Sequence, residues 1–264
     1  MSNIKIACST VAFRLLSLDR ALEIIRGAGF TRIETQSKGA WCPHVDIDKD
    51  DPILFADRVK SFGIDEIAAL HMFEGCVLNS ETFVSYTQRA AKWAKAAGVP
   101  VLITSEGCIL EGMTDAEAQA ILQGRLSEAA GYAAEQGVSL AIETRARQTK
   151  TLTEDLLQPM NAWKGKELGI NFDTANVHAC EVDEAAILQS VMERVIHCHA
   201  KDTHAGHCTA LGKGDVNIDA CFDVLKKAGY EGYVVLETEG DEPVEIMERM
   251  VKESYEKMVG CFGR

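Results

Sequence analysis

Between Arg194 and Asp215 the chain carries four of its seven histidines: His197, His199, His204 and His207. Lys201, Lys213, Asp202, Asp215, Cys198 and Cys208 lie in the same stretch. Side chains of these types can ligate a metal, serve a nucleophile, or make an ordinary polar loop. The choice depends on which element carries each residue and which way it faces.

Eight short β-rich runs punctuate the sequence: 4–10, 32–37, 66–73, 101–107, 138–145, 167–174, 195–202 and 233–239. Amphipathic stretches separate them, among them LDRALEIIRGAGF, SETFVSYTQRAAKWAKAAGV, TDAEAQAILQGRLSEAAGYAAEQGV and DACFDVLKKAGY. The glycines of AGF, FGI, AGV, QGV and AGY suit the left-handed turn that ends a helix before a strand. Eight strand–helix units, each of about 30 residues, specify an α/β fold, a single (β/α)8 TIM barrel spanning 1–264 as one domain. A doubly wound open sheet competes, but it normally uses fewer repeats, and CSTVAFR after the first strand has no glycine-rich phosphate loop.

Composition narrows the field. With 47% hydrophobic residues the 264-residue chain can build a large core. A formal net charge of −13 argues against nucleic acid and anionic membranes as partners. No apolar run reaches the roughly 20 residues of a membrane span, and MSNIKIACSTVAF lacks signal-peptide architecture. Nine scattered cysteines with no C-x-x-C pair read as reduced thiols, most of them small core residues. A cytoplasmic protein is expected, acting on a small molecule, with a homo-oligomer allowed.

Strand parity then sorts the polar residues. Glu143 opposes Leu140 and Ile142, while Asn171 and Asp173 oppose Ile170 and Phe172. His197, His199 and Lys201 oppose Ile196, Cys198 and Ala200, and Glu237 and Glu239 oppose Val234 and Leu236. Glu34 and His71 follow the same rule on strands 2 and 3. The apolar faces must meet the helices, so the polar residues point into the barrel near the C-terminal strand ends, where barrel enzymes carry their sites. Buried carboxylates and imidazoles without partners cost several kcal/mol per charge. A divalent cation held by Glu143, Asp173, His199 and Glu237, on strands 5 to 8, is the economical compensation. Three carboxylates and one imidazole suit Mn²⁺ best, with Mg²⁺, Co²⁺ or Zn²⁺ as alternatives, and no organic cofactor is expected.

The remaining polar residues carry a bland reading beside the functional one. His197 lies one pleat before His199, roughly 7 Å away, which suits support better than ligation. Lys201, His71, Glu34 and His178 are candidate substrate contacts, against roles as ion-pair partners, core groups or exposed loop residues. His204 and His207 default to solvent. Asp215 is expected to organise the GKGD turn, and Cys198 faces the helices, which removes it as a nucleophile.

AIET at Glu143, NFDTAN at Asp173, HCHAKD at His199, LGKGDVNID at 211–219 and VVLETEG at Glu237 resemble, in order and spacing, the xylose isomerase-like TIM barrels of the sugar phosphate isomerase/epimerase superfamily. The resemblance implies that Glu143, Asp173, His199 and Glu237 bind one metal, with the two glutamates also acting as acid and base. It implies a metal-dependent isomerase or epimerase of a small sugar or hydroxy-carbonyl compound, working through a metal-stabilised enediolate. The same residues serve a dehydratase of a keto-sugar or cyclitol; a metal-dependent hydrolase and a non-catalytic sugar-binding barrel are weaker rivals. Two departures stand out. Asn176 replaces the substrate histidine that ketose epimerases place three residues after the metal aspartate, and Ala205 replaces their arginine six residues after the metal histidine. An unphosphorylated substrate is therefore expected, unless Lys201, Lys213 or Arg145 supplies the missing charge.

Overall fold

The computed structural model describes residues 3–39, 41–107, 110–144 and 168–263. Arg145 and Glu167, at the ends of two expected strands, lie outside them. The eight barrel strands are β1 (Lys5–Ser9), β2 (Arg32–Lys38), β3 (Glu66–Cys76), β4 (Val101–Ser105), β5 (Ser139–Glu143), β6 (Leu168–Asp173), β7 (Val195–Ala200) and β8 (Tyr233–Leu236). Each pairs in parallel with its sequence neighbour, and β8 pairs with β1, so the sheet closes.

The described helices are α1 (Leu18–Ala28), α2 (Pro52–Ser61), α3 (Phe83–Ala97), α4 (Asp115–Glu135), α5 (Thr174–His178), α6 (Glu184–Val191), α7 (Ile218–Lys227) and α8 (Val244–Phe262). Their starts are written in the sequence. Ser17 caps α1, and Asp51 caps α2 with Pro52 in its first turn. Thr114 and Glu117 cap α4 reciprocally, each satisfying a backbone N–H at the helix start. The end of α1 needs Gly29 at φ +118, where an added Cβ would also strike the Tyr255 ring at 2.4 Å. No described helix is long and apolar enough to cross a membrane.

The outward strand faces and the helices form one large core, which includes Leu70, Leu140, Ile170, Phe172, Cys198 and Leu236. The barrel floor is filled separately, by Ala69, Val101, Ile103 and Ala141 on one side and by Ala7, Ala68 and Val235 on the other. Two residues depart from strict alternation: Ala68, skipped where Ile33 pairs with Ile67 and Glu34 with Ala69, and Ile196. Ile196 was expected on the outer face with Cys198, yet it packs against the floor cluster. The cause is a bulge: Ile170 pairs with Val195 and Asn171 with His197, so Ile196 is skipped and turns inward. Gly169 on β6 leaves the space it occupies. The correction leaves His197 and His199 facing inward. Cys8, Cys42, Cys180, Cys198, Cys208, Cys221 and Cys261 are free thiols, and Cys8, Cys42, Cys198 and Cys221 are buried.

Candidate metal centre

Polar side chains meet directly above the floor. Glu34 comes from β2, His71 from β3, Glu143 from the last position of β5 and Asp173 from the last position of β6. His197 and His199 come from β7, and Glu237 follows the end of β8, where its N–H donates to the Ala200 carbonyl at 3.1 Å. All seven are buried, none more than 3% exposed.

His199 is the hub. Its Nδ1 lies 2.9 Å from Glu143 Oε1 and 3.4 Å from Glu237 Oε2, while its Nε2 lies 2.8 Å from Glu34 Oε2. His71 Nδ1 stands 4.0 Å from Glu237 Oε1. One ligand atom each from Glu143, Asp173, His199 and Glu237 falls within 4.8 Å of all the others, and so does a second set, Glu34, His71, His199 and Glu237. Asp173 joins the first set with one oxygen already engaged: Oδ1 accepts from the Asn176 N–H at 2.8 Å as the cap of α5. Its other oxygen, Oδ2, is buried with no hydrogen-bond partner among the described residues.

The electrostatics describe a pocket with more negative charge than its cations balance. Burial, opposed by the Lys201 ammonium and reinforced by the Glu237 and Glu143 carboxylates, pushes the Asp173 carboxyl up to about 8. Burial alone would lower His199, but Glu237, Glu34 and Glu143 hold its imidazole well above the usual range. Burial would raise Glu34, yet the His199 and His197 rings outweigh it and hold its carboxyl below the usual range. A cation fits this donor set: hard oxygens, one imidazole nitrogen, and an Asp173 oxygen with nothing else to meet.

Lys201 lies just beyond β7, its ammonium 3.2 Å from Glu237 Oε2 and 3.2 Å from Glu239 Oε1, with 12% of the side chain exposed. His178, expected to meet substrate, sits outside the buried cluster. Its Nδ1 forms a short contact with the buried Glu184 carboxylate at the start of α6. His204 pairs with Asp215 at 3.1 Å on the exposed loop, and His207 stands exposed on the strand His207–Thr209 that pairs with Asp202–His204. The organiser of that loop is Asp202 rather than Asp215. Its buried carboxylate accepts from the N–H groups of Gly212, Gly214 and Val216 at 2.8, 3.0 and 3.2 Å. An added Cβ at Gly214 would lie 2.2 Å from Asp202 Oδ1, so the motif needs its glycine. The signal was present in HAKD followed by GKG, as a carboxylate within reach of alternate N–H groups in a glycine-rich turn. Thr144 also escaped notice: its hydroxyl accepts from the Asp173 N–H at 2.9 Å and steadies the end of β6.

Known proteins share this frame. A curated inosose dehydratase of Lactiplantibacillus plantarum is 25% identical over 203 residues, 64% of this chain and 65% of that protein. A ketose 3-epimerase of Arthrobacter globiformis is 32% identical over 92 residues, 35% of this chain and 28% of that protein. The chain thus spans less than two thirds of the length of these relatives. The IOLI protein, solved with a zinc atom bound, superposes with a TM-score of 0.80 at 17% identity, covering 98% of both chains. The pattern of the xylose isomerase-like TIM barrels matches residues 22–259, from α1 through nearly all of α8. With a closed barrel and a match over most of its length, the chain belongs to the xylose isomerase-like TIM barrel family.

Proposed function

We propose that the protein is a divalent-metal-dependent isomerase or epimerase of a small sugar or hydroxy-carbonyl compound. The observation that carries this reading is the convergence of Glu143, Asp173, His199 and Glu237 within 4.8 Å in a buried, over-acidic pocket at the C-terminal end of the barrel. These four residues hold one ion of the Mn²⁺ class in this reading. Zn²⁺ is the alternative, since the superposable IOLI protein carries zinc. An ion bound there supplies Lewis-acid stabilisation of the negative charge that develops on a carbonyl oxygen.

The chain's own residues then do the proton chemistry. Glu143 and Glu237 approach His199 Nδ1 from different strands, at 2.9 and 3.4 Å, so a substrate carbon beside its carbonyl can lie between two carboxylates. One glutamate removes the proton and the other returns one. Return to the opposite face of the same carbon gives epimerisation, and return to the neighbouring carbon gives isomerisation. Lys201 holds Glu237 and meets a substrate hydroxyl or carboxylate at the mouth, with His71 on the facing wall.

A second reading is a dehydratase of a keto-sugar or cyclitol, favoured by the inosose dehydratase relative. Here the same proton abstraction is followed by loss of a β-hydroxyl. Proton exchange in D₂O, followed by NMR with Mn²⁺ present, separates the two across ketoses, keto-cyclitols and hydroxypyruvate. Deuterium at the carbon beside the carbonyl, with an epimer or isomer as product, supports the first reading; an unsaturated product supports the second. No exchange with any compound at saturating Mn²⁺ would overturn both.

A further inference from the structure

Two overlapping sets of ligand atoms share His199 and Glu237, and the hydrogen bonds decide between them. A single oxygen of Glu34, Oε2, lies 2.9 Å from His197 Nε2 and 2.8 Å from His199 Nε2. A carboxylate oxygen accepts, so each of those nitrogens carries the proton. The other ring nitrogen of His199, Nδ1, faces Glu143 Oε1 at 2.9 Å and Glu237 Oε2 at 3.4 Å, both members of the first ligand set. Beneath, the His197 ring meets the His199 ring edge-on at 5.5 Å and sits over Tyr233 at 6.3 Å, so Glu34 is gripped from the floor side. Glu34 and both imidazoles are fully buried, closed to bulk solvent.

We propose that Glu34 is a positioning residue: anchored by His197, it takes the Nε2–H of His199 and commits His199 to present Nδ1 to the ion. With Nε2 of His199 held by Glu34 Oε2, the nitrogen left to face an ion is Nδ1, on the side of Glu143 and Glu237. The inference rests on the metal reading above and adds to it the identity of the ligating nitrogen and the residue that selects it. A carboxylate that orients a ligating imidazole typically governs about 10- to 100-fold in metal affinity.

The test uses the full chain with Zn²⁺, which is diamagnetic, and with Mn²⁺. Calorimetry measures ion binding. Nitrogen-15 NMR of histidine-labelled protein identifies the zinc-shifted nitrogen of His199, assigned by difference with His199→Asn. The wild type is expected to bind about one ion per chain, with zinc on Nδ1 and the proton on Nε2. Glu34→Gln keeps an acceptor oxygen in place and is expected to hold the same tautomer, with at most about a tenfold loss of affinity. Glu34→Ala is expected to lose 10- to 100-fold, about the range such carboxylates govern, and to mix the two tautomers. Zinc on Nε2 in the wild type, unchanged affinity in Glu34→Ala, or abolished binding in Glu34→Gln would each overturn the positioning role while leaving the metal reading intact. Should Glu34→Ala fail to fold, the wild-type tautomer and Glu34→Gln still decide. A wild type that binds neither ion overturns the metal reading itself.

Discussion

Gly169 on β6 faces the side chain of Ile196 on β7, and a Cβ added at Gly169 would stand 2.5 Å from Ile196 Cγ1. The two residues settle the floor beneath the candidate centre, because Ile196 turns inward at the bulge only if Gly169 leaves room. Gly169→Ala is therefore expected to destabilise the protein, by about 1–3 kcal/mol as for other overpacked cores. Ile196→Ala alone leaves a partial void, but combined with Gly169→Ala it should restore part of the loss. Denaturant unfolding of the two single variants and the double variant measures the coupling. Strictly additive effects would show that the two side chains do not compete for the same space.

The centre also sets how stability responds to pH once ions are stripped with a chelator. Asp173 titrates near 3.8 unfolded and at about 8 folded, so between those values the folded state holds the extra proton. Stability therefore falls as pH rises through that window, by at most about 1.4 kcal/mol per pH unit for one group. His199, raised well above 6.5, acts in the same direction: its contribution is full below 6.5 and is lost as pH climbs through its folded value. Glu34 and Glu143, both lowered, contribute above about 4.5 and lose that contribution as pH drops below it. The chelated protein should have its highest Tm in mildly acidic solution and lose stability toward pH 8 and 9. Added Zn²⁺ or Mn²⁺ should flatten that slope, since an ion favours the deprotonated carboxylates and imidazole. A Tm profile that keeps rising from pH 6 to 9 in chelator would contradict the charge balance described here.

Much of this was legible in the sequence because parity is a local property. In GINFD and VIHCHAK the apolar residues alternate with polar ones, and a strand has only two faces, so Asp173 and His199 had to share the barrel interior. The glycines that end helices, Gly29 and Gly98 among them, were legible for the same local reason. What stayed hidden depends on partners distant in sequence. The Ile196 bulge follows from Gly169, 27 positions earlier. The bond from Glu34 to His199 spans 165 positions, and parity could place Glu34 inside without saying what it would touch. The contact of the His178 ring with Glu184, six residues on, likewise depends on how the loop between them folds, which alternation does not give.

Lys201 offers a test that separates charge balance from substrate contact. Its ammonium lies 3.2 Å from Glu237 Oε2, and its side chain is mostly buried at the mouth. Lys201→Met keeps the stem and removes the charge. Because a fixed positive charge repels an incoming cation, the variant is expected to bind Mn²⁺ at least as tightly as the wild type. Turnover of the compound identified by exchange in D₂O should nevertheless fall, by about tenfold or more, since a charge-assisted contact is lost. Weaker Mn²⁺ binding together with unchanged kcat/KM would mean that Lys201 only braces the centre.

The two glutamates carry the decisive prediction, because ligation and proton transfer make different demands on the same oxygens. Glu143→Gln and Glu237→Gln keep the shape and one acceptor oxygen, so each variant should fold. Each also weakens the hold on the ion, so activity is to be measured with Mn²⁺ in excess. General acid–base groups contribute about 10²- to 10⁴-fold, and losses of at least that size are expected. In an epimerase the two carboxylates act on opposite faces of one carbon. Starting from one epimer, one Gln variant should still wash deuterium from substrate into solvent without completing the inversion, while the other does neither; from the product epimer the roles should exchange. A dehydratase gives no such reciprocity, because its second step loses a hydroxyl rather than gaining a carbon-bound proton. Near-full turnover in both variants once Mn²⁺ saturates would leave the glutamates as ligands only, and the base would then have to be His71 or Lys201, the other polar groups of the pocket whose nitrogens approach Glu237.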